Sequence, residues 1–331
     1  MALHGVRIAG TGGYVPDRVL TNHDLEKMVD TSDEWIVTRT GIRERRIAAP
    51  DQATSDMAAE AARRALDNAG ASPEDVELIV VATLSADHYF PNTACYVQKK
   101  IGARTVPSFS LEAACCGFLY GLDTAVNMVR AGGYGNALVI GAEKLSMHVN
   151  WEDRATCVLF GDGAGAVFLE RTTPEKDAYL GSCLGADGTY TDLLIVPAGG
   201  SAQPITHQLL DEKKNTIHMM GRETFKLAVN AMVNAARTAL KNAGVGIEEI
   251  RWLVPHQANQ RIISAVGQRL GIPAEQVYVN LDRYGNTSAA SIPLALGEIA
   301  AAGKIAPGDK LLFVAFGGGL TWAASVIEWQ A

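Results

Sequence analysis

The sequence has few cysteines, and their positions exclude several kinds of protein. The 331 residues include only five, which are scattered along the chain: Cys95, Cys115, Cys116, Cys157 and Cys183. An odd, scattered set does not form a disulfide framework, and no pair has the spacing of a zinc site. We therefore expect a cytoplasmic protein without a metal site.

Long apolar runs and an excess of positive charge are missing as well. No segment reaches the roughly 18 apolar residues that a membrane-spanning helix needs. The opening residues, MALHGVRIAG, lack the basic and apolar regions of a signal peptide. The net charge of −7 disfavours non-specific binding to nucleic acid. We expect neither a membrane nor a nucleic acid as partner.

The chain contains one internal repeat. Residues 62–81, ARRALDNAGASPEDVELIVV, resemble residues 236–255, ARTALKNAGVGIEEIRWLVP, at an offset of 174 positions. The same offset aligns two apolar runs further along the chain, 137–141 and 311–315. A constant offset close to half of the chain predicts a duplicated α/β unit.

We place the two halves at residues 1–172 and 177–331, with the join in the polar stretch RTTPEK (171–176). In each half a helix ends at Asn-Ala-Gly, where Gly70 or Gly244 suits the left-handed position after a helix. Strands that are apolar on both faces follow, which indicates sheets covered by helices on both sides. The prediction is an α/β fold of five layers, αβαβα, in which two sheets share a central layer of helices.

Two of the cysteines are adjacent, in the stretch SLEAACCGFL (110–119). They are a nucleophile and its neighbour, a redox pair, or two small core residues, and adjacent cysteines do not bridge without strain. The pattern predicts a strand and then an apolar helix, with both cysteines in its first turn, where unpaired amides stabilise a thiolate. Because successive helical residues point about 100° apart, we expect one catalytic and one buried cysteine.

Two further polar residues follow predicted strands. His256 comes after a strand at 251–254, and Asn259 begins the next helix, which runs to about Leu270. Asn286 stands at the entry to an apolar helix, in NLDRYGNTSAASIPLAL. A structural histidine and a helix-capping asparagine would each explain one of these positions. Because ligands of open α/β sheets bind beyond the carboxyl ends of strands, the two residues and a cysteine together predict a Cys-His-Asn site.

Two glycine-rich segments have different interpretations. In AFGGGLTW, three consecutive glycines let backbone amides approach a ligand closely, as in an oxyanion hole. GDGAGA (161–166) matches the dinucleotide pattern G-x-G-x-x-A, but it leads into a strand rather than a helix. We therefore predict no NAD site.

The motifs resemble those of the β-ketoacyl-acyl-carrier-protein synthase III family, the initiating condensing enzymes of type II fatty-acid synthesis in the thiolase superfamily. The resemblance covers essentially the whole chain and rests on long motifs: TSDEWIVTRTGIRERRIA, AACCGF, FGDGAGA, ADGTY, LVPHQANQRIISA, DRYGNTSAASIP and AFGGGLTW. It implies a duplicated thiolase-like fold, in agreement with the internal repeat.

The resemblance also implies a catalytic set. The family nucleophile is the cysteine followed by one residue and Gly-Phe, which is Cys115, and His256 and Asn286 complete the set. The amides of Cys115 and Gly319 would form the oxyanion hole. Cys115 would take an acetyl group from acetyl-CoA. Malonyl-acyl carrier protein would then lose CO₂, and its enolate, held by His256 and Asn286, would attack to give acetoacetyl carrier protein without any cofactor.

Binding residues follow from the same resemblance. The positions that match the CoA site are Trp35, Arg39, Arg154, Gly221, Phe225 and Asn259. The positions that suit a basic patch for the acidic carrier protein are Lys226, Arg261 and Arg269. Phe90 matches a residue that each subunit lends to its partner's acyl pocket, which implies a homodimer.

Some positions depart from the family pattern. Arg222 stands where relatives commonly have an asparagine that touches pantetheine, and Gln268 stands where a lysine of the carrier patch is frequent. Cys116 occupies a position where relatives generally carry alanine or serine, and it either narrows the acyl pocket or simply packs. The polar loop 197–217 receives no assignment.

Other functions stay open. The nearest is a family member with a longer, branched or aromatic primer, including one that serves secondary metabolism. A plant-type polyketide synthase shares Cys-His-Asn but typically ends in Gly-Phe-Gly-Pro-Gly rather than FGGGLTW. A cysteine hydrolase would need a G-x-C-x-G elbow, which EAACCGF lacks. A non-catalytic CoA- or carrier-binding protein would not require Cys115, His256 and Asn286 together.

Overall fold

The structure is a computed structural model that describes residues 3–331, so that Met1 and Ala2 of the opening segment lie outside the described residues. The strands within that range are β1 (Gly5–Tyr14), β2 (Val19–Thr21), β3 (Glu44–Arg46), β4 (Ile79–Ala82), β5 (Ser108–Leu111), β6 (Asn136–Glu143), β7 (Gly163–Thr172), β8 (Tyr179–Ala186), β9 (Leu194–Ile195), β10 (His218–Met219), β11 (Ile250–Pro255), β12 (Lys310–Gly317) and β13 (Thr321–Glu328). The α-helices are α1 (Asn22–Leu25), α2 (Asp33–Thr40), α3 (Thr54–Ala69), α4 (Thr93–Ile101), α5 (Gly117–Arg130), α6 (His207–Asp211), α7 (Gly221–Ala243), α8 (Gln260–Leu270), α9 (Leu281–Tyr284) and α10 (Ser291–Ala301).

Two mixed sheets have the same strand order. In the first sheet, β1–β7–β6–β4–β5, the strand β4 is parallel to β5 and β6, while β7 is antiparallel to β6 and β1. In the second sheet, β8–β13–β12–β11, only the pair β11 and β12 is parallel. The position that β5 takes in the first sheet is held in the second by an isolated parallel bridge between Leu253 and Val277.

Apolar clusters fill the spaces between the layers. The central cluster joins α5 and α10 to both sheets, and its buried members include Leu122, Val139, Leu296 and Phe313. Other clusters pack α3 and α4 on the outer face of the first sheet, and α7 and α8 on the outer face of the second. Helices therefore cover both faces of each sheet, and the predicted five-layer αβαβα arrangement is confirmed.

The repeated helix and glycine make equivalent contacts in the two halves. Gly70 and Gly244 end α3 and α7 in the left-handed conformation, with φ of 68° and 65°. Asn68 on α3 accepts a hydrogen bond from the amide of Thr11 in β1 at 2.9 Å. Its counterpart Asn242 on α7 donates to the backbone oxygen of a residue in β8, also at 2.9 Å. The repeated asparagine thus ties each outer helix to the first strand of its sheet.

The offset of 174 residues also relates the elements that lead to the centre of the molecule. The helix α5 begins at Gly117 and α10 at Ser291, and β6 and β12 cover equivalent residues. The residues three positions before these helices, Ala114 and Ser288, have nearly identical φ values of 47° and 48°. We propose on this basis that the chain divides into halves at 171–176, between β7 and β8.

The loop 197–217, which the sequence left without an assignment, connects β9 to β10, and these two short strands pair with each other. It contains α6 and reaches residues of the first half, since the amide of Ile217 donates to the backbone oxygen of His148 at 2.8 Å. No helix within residues 3–331 is long and apolar enough to cross a bilayer. The same range has no group of three or more His, Cys, Asp or Glu side chains placed to hold a metal ion.

The left-handed end of α7 makes a prediction about stability. A β-carbon at Gly244 would meet no atom within 4 Å, so Gly244→Ala changes only the backbone preference and should lower the free energy of unfolding by about 1–2 kcal/mol. Gly297, inside α10, is the matched control because its nearest neighbour would lie 3.9 Å away. Gly297→Ala should instead raise stability by about 0.5–1 kcal/mol. Urea unfolding measures the free energy of unfolding of both variants. Equal losses of stability in the two variants would contradict the interpretation.

Candidate active site

One cavity, of about 670 Å³, lies where β11 and β12 end and where α5 begins. Cys115, His256 and Asn286 all line it. They expose only 8%, 3% and 7% of their surfaces. The structure therefore brings the three predicted catalytic residues to one enclosed space. Apolar side chains form much of the remaining wall, among them Val158, Leu159, Phe160, Leu194, Met219, Met232 and Phe316.

A tight backbone turn positions Cys115. The turn, Ala114–Cys116, is a short 3-10 helix that ends where α5 begins, so the prediction that both cysteines lie in the first turn of the long helix needs this correction. Ala114 has a positive φ, and its amide donates to Glu112 Oε1 at 2.7 Å. The turn directs Cys115 to the cavity, whereas Cys116 belongs to the central apolar cluster.

The Cys115 thiol is protonated in the resting protein. Burial raises the pKa of this thiol to about 12, an effect that the neighbouring Ser288 hydroxyl opposes only in part. The unpaired amides at the start of α5 therefore act against a large desolvation penalty. Burial also raises the pKa of the Cys116 thiol. A reaction at Cys115 therefore includes removal of the thiol proton.

His256 is held as a neutral imidazole. Its amide donates to the backbone oxygen of Val314 at 2.8 Å, which ties the residue to β12. Its Nδ1 lies 2.8 Å from Ser291 Oγ, at the first residue of α10. Burial lowers the pKa of His256 to about 3. When the Ser291 hydroxyl donates to Nδ1, the ring proton is on Nε2, which can then donate to a ligand.

Backbone pairing across the two halves holds Asn286. Its amide donates to the backbone oxygen of Leu159 at 2.8 Å, and its own backbone oxygen accepts from Gly161 at 3.0 Å. The preceding residue, Gly285, has a φ of 64°, and a β-carbon there would lie 2.7 Å from the oxygen of Leu159. The side-chain Oδ1 accepts from the amide of Ser288 at 2.9 Å. This bond fixes the orientation of the amide group and leaves Nδ2 to donate to a ligand.

Gly317, the first glycine of the segment AFGGGLTW, lies close to the nucleophile Cys115. A β-carbon at Gly317 would lie 2.6 Å from the amide nitrogen of Cys115, and Gly317 lines the cavity. Gly319, which the family resemblance suggests for the oxyanion hole, is not among the residues that line the cavity. The role of Gly319 therefore stays a prediction. At position 317, the close contact with the Cys115 amide requires glycine.

Three of the residues predicted for the CoA site stand together at the mouth of the cavity. The guanidinium carbons of Arg39 and Arg154 lie 5.7 Å and 5.0 Å from the centre of the Trp35 ring. Trp35 and Arg39 line the cavity, whereas Arg154 does not and donates to the backbone oxygen of Asp30 at 2.8 Å. An aromatic ring beside two guanidinium groups suits a flat, anionic ligand.

The other predicted binding residues divide into two groups. Those that line the cavity are Gly221, Phe225, Lys226, Asn259 and Arg261. Asn259 caps α8, as predicted for the start of that helix, and its Nδ2 also donates to the backbone oxygen of Arg39 at 3.1 Å. Arg269 and Phe90 lie outside the cavity. The Arg269 side chain donates a hydrogen bond to Asn230, and Phe90 is 86% exposed.

The structure also shows neighbours of the site that the sequence did not assign. Arg222, noted as a departure from the family pattern, lines the cavity beside Lys226. The amide of Ser288 donates to Asn286, and the hydroxyl of Ser291 lies within hydrogen-bonding distance of His256. Both serines belong to the motif DRYGNTSAASIP. Glu143 is fully buried near Cys115. Short polar residues at the start of an apolar helix were the sequence signal that could have identified these two serines. The same residue types are common helix caps, so the signal does not indicate a site by itself.

The low pKa of His256 predicts a pH dependence of stability. The unfolded chain protonates this imidazole near its ordinary pKa of about 6.5, whereas the folded protein does not until about pH 3. The contribution of His256 to stability is therefore present above pH 6.5 and is lost as the pH falls below that value. Urea unfolding of the wild type and of His256→Gln between pH 7 and 5 should show a smaller loss for the variant. Equal losses of stability in the wild type and in the variant would contradict a neutral His256 imidazole in the folded protein.

Comparisons with known proteins agree on one family. Family models for 3-oxoacyl-acyl-carrier-protein synthase III match residues 109–188 and, for its C-terminal part, residues 240–329. The β-ketoacyl-acyl-carrier-protein synthase III of Caldanaerobacter subterraneus subsp. tengcongensis is 55% identical over 98% of this chain and 97% of that protein. The crystal structure of the Aquifex aeolicus 3-oxoacyl-acyl-carrier-protein synthase III has a TM-score of 0.90 at 50% identity, covering 98% of this chain and 100% of that one.

A more distant solved structure is the priming β-ketosynthase of the R1128 polyketide biosynthetic pathway. It has a TM-score of 0.92 at 35% identity and covers 99% of this chain and 97% of that one. The duplicated fold, the shared motifs and these similarities over nearly the full length lead to one conclusion. The chain belongs to the β-ketoacyl-acyl-carrier-protein synthase III family, the thiolase-fold acyltransferases that carry out the initiating condensation of type II fatty-acid synthesis.

Proposed function

We propose that this protein transfers an acetyl group from acetyl-CoA to Cys115 and then condenses it with malonyl-acyl carrier protein. The products are acetoacetyl-acyl carrier protein, CO₂ and CoA. The observation that carries this proposal is the meeting of Cys115, His256 and Asn286 in one buried cavity whose mouth presents Trp35 and Arg39. A thiol, a neutral imidazole and an amide donor are the groups that acyl transfer and enolate formation require.

In the first half of the reaction, the Cys115 sulfur attacks the thioester carbon of acetyl-CoA. Negative charge develops on the thioester oxygen, and backbone amides at Cys115 and in the glycine segment, including Gly319, are proposed to stabilise it. The carbon–sulfur bond to CoA then breaks, the Cys115 sulfur gives up its proton, the CoA sulfur leaves as the thiol with one proton taken up, and the acetyl group stays on Cys115. The wall of the cavity is largely apolar and offers water few hydrogen-bonding partners, which would disfavour hydrolysis of the acyl-enzyme.

In the second half, malonyl-acyl carrier protein loses CO₂, and the electron pair of the broken bond forms an enolate. His256 Nε2 and Asn286 Nδ2 are proposed to donate hydrogen bonds to the enolate oxygen. The low pKa of His256 supports this role. A neutral imidazole donates a hydrogen bond to the enolate oxygen but is too weak an acid to protonate the enolate carbon. The enolate carbon attacks the acetyl group on Cys115, and the thiolate leaves.

The mouth of the cavity supports the proposed binding of CoA and the carrier protein. Trp35 with Arg39 and Arg154 would hold the adenine and phosphates, and Gly221, Phe225 and Asn259 would line the pantetheine path. Lys226, Arg261 and Arg269 would attract the acidic carrier protein. The exposed Phe90 is consistent with a contact between subunits of a homodimer. A cytoplasmic location and a reaction without a cofactor are part of the same proposal.

A different primer is the second candidate. The 35% identity to a priming β-ketosynthase from a polyketide pathway, together with a cavity of about 670 Å³ walled by Met219, Met232 and Phe316, favours testing longer acyl groups. Cys115 would carry the longer acyl group by the same chemistry. The test of loading therefore has to compare acetyl-CoA with longer and branched acyl-CoA molecules.

The loading step predicts a covalent acyl-enzyme. Intact-mass spectrometry of the protein mixed with acetyl-CoA should show a gain of one acetyl group, which Cys115→Ala abolishes because the nucleophile is gone. Cys116→Ala is the matched control and should load normally, since Cys116 faces the core. Loading that fails with acetyl but succeeds with a longer acyl-CoA would select the second candidate. An adduct that is lost only in Cys116→Ala would contradict the assignment of the nucleophile.

The condensation step predicts a separate role for Asn286. Asn286→Asp keeps the oxygen that accepts from Ser288 but replaces the donor Nδ2. Release of CO₂ from malonyl-acyl carrier protein should fall about 100-fold or more, while loading of Cys115 should change little. Rapid-quench assays of the two half-reactions measure both rates. A variant that decarboxylates at the wild-type rate, or loses both half-reactions equally, would contradict the role proposed for Asn286.

A further inference from the structure

Glu298 carries a carboxyl group that lies outside the active-site cavity and has no role in the reaction described so far. It belongs to α10, the helix whose first residue, Ser291, contacts His256. Glu298 comes about two helical turns after Ser291, so the two side chains lie on the same side of α10. One helix therefore contacts His256 at its start and presents a carboxyl group further along.

Five hydrogen bonds from one chain segment converge on Glu298. Its Oε1 accepts from Tyr284 Oη at 2.6 Å and from Arg283 Nη1 at 2.9 Å. Its Oε2 accepts from Arg283 Nη2 and Asn280 Nδ2, both at 2.9 Å, and from Tyr278 Oη at 3.1 Å. All of the donors belong to one short segment, which this carboxyl group binds to α10.

These bonds differ from those of an ordinary surface ion pair. Arg283 donates to both oxygens of Glu298, and bidentate, charge-assisted bonds of this kind fix the geometry of both partners. Burial alone would raise the pKa of Glu298, but the hydrogen bonds from Arg283, Tyr284 and Asn280 lower it overall. The group is therefore a carboxylate at neutral pH. An isolated exposed pair contributes little to structure, whereas a bidentate pair within a network holds its members in place.

The segment that binds Glu298 is also bound beside His256. Gln257, the next residue after His256, is buried and 1% exposed. Its Oε1 accepts from the amide of Asn280 at 3.0 Å, and its Nε2 donates to the backbone oxygen of Tyr278 at 3.1 Å. The start of the segment is thus joined to the chain that carries the imidazole.

The other end of the segment leads directly to Asn286. Only Gly285 separates Asn286 from Tyr284, whose hydroxyl binds Glu298. The backbone pairing of Asn286 described above connects it to the cavity wall. The segment supplies its connection to the neighbourhood of His256, and Glu298 binds the side chains of that segment along its length.

We propose that Glu298 is a positioning residue that holds His256 and Asn286 at the separation that one enolate oxygen requires. This inference rests on the condensation proposed above, in which both side chains donate to that oxygen. A hydrogen bond spans only about 2.7–3.2 Å, so a shift of the segment relative to α10 would weaken one of the two bonds. Loading of Cys115 is proposed to use neither donor and does not depend on their separation.

The first test compares Glu298→Gln with a matched control, Glu170→Gln. The carboxamide keeps the size of Glu298 but places an NH₂ group where an oxygen accepted hydrogen bonds. Glu170 also binds an arginine, Arg7, at 2.6 Å, and its side chain is 34% exposed, against 25% for Glu298. Glu298→Gln should slow CO₂ release from malonyl-acyl carrier protein by about tenfold or more and leave loading of Cys115 near the wild-type rate. Glu170→Gln should leave both rates unchanged.

The comparison of the two half-reactions separates positioning from a general loss of structure. A partly unfolded enzyme would lose loading and CO₂ release in equal proportion, and that result would overturn the inference. Because the two donors act on the enolate, kcat for malonyl-acyl carrier protein should fall in Glu298→Gln while KM changes little. A higher KM at an unchanged kcat, or CO₂ release at the wild-type rate, would overturn the inference as well.

Tyr284→Phe provides a milder second variant. It removes one of the five hydrogen bonds to Glu298 and keeps the aromatic ring. CO₂ release should slow less than in Glu298→Gln, again without a change in loading. Adding Tyr284→Phe to Glu298→Gln should have little further effect, because both substitutions act through the same contact. Additive losses would show that the two residues act independently and would contradict the inference.

Crystal structures of the variants give a readout that requires no activity. The distance between His256 Nε2 and Asn286 Nδ2 should change by about 0.5 Å or more in Glu298→Gln and stay as in the wild type in Glu170→Gln. If Glu298→Gln does not fold, the same distance is measured in Tyr284→Phe. An unchanged distance would overturn the inference. If the wild type releases no CO₂, the proposed function fails, while the measured distances still decide the role of Glu298.

Discussion

The site depends on the close contact of two turns at the centre of the molecule. Ala114–Cys116 precedes α5, Ser288–Ala290 precedes α10, and the two turns pack against each other between the sheets. The repeat relates them, and their first residues share the same left-handed φ. The same symmetry places Glu143 at the end of β6 and Gly317 at the end of β12. The two equivalent strand ends thus meet opposite turns, with Gly317 against Cys115 and β6 against the turn Ser288–Ala290.

Burial sets the chemistry that this contact makes available. It keeps both the Cys115 thiol and the His256 imidazole neutral near pH 7. A neutral imidazole suits an enolate oxygen, but a neutral thiol is a poor nucleophile until its proton leaves. The same desolvation that hinders the thiol makes the buried Glu143 more basic.

Much of the fold and of the site could be predicted from the sequence, because the repeat and the strand ends are local patterns. The five layers, the left-handed ends at Gly70 and Gly244, and the cap at Asn259 all appear in the structure. Contacts between the halves could not be predicted this way. The pairing of Asn286 with the 159–161 segment and the packing of the turn Ser288–Ala290 against β6 join residues distant in sequence. The short turn at Cys115 depends on tertiary packing that overrides the helical pattern.

The central claim is that one cavity carries an acyl group on Cys115 and delivers it to a carbon nucleophile made in place. A single-turnover experiment tests this claim most directly. Wild-type enzyme loaded with acetyl is mixed with malonyl-acyl carrier protein, and the masses of both proteins are followed in time. We expect the acetyl group to leave Cys115 at the rate at which acetoacetyl-acyl carrier protein appears. Loss of the acetyl group to water, or conversion of the malonyl group only to acetyl, would contradict the claim.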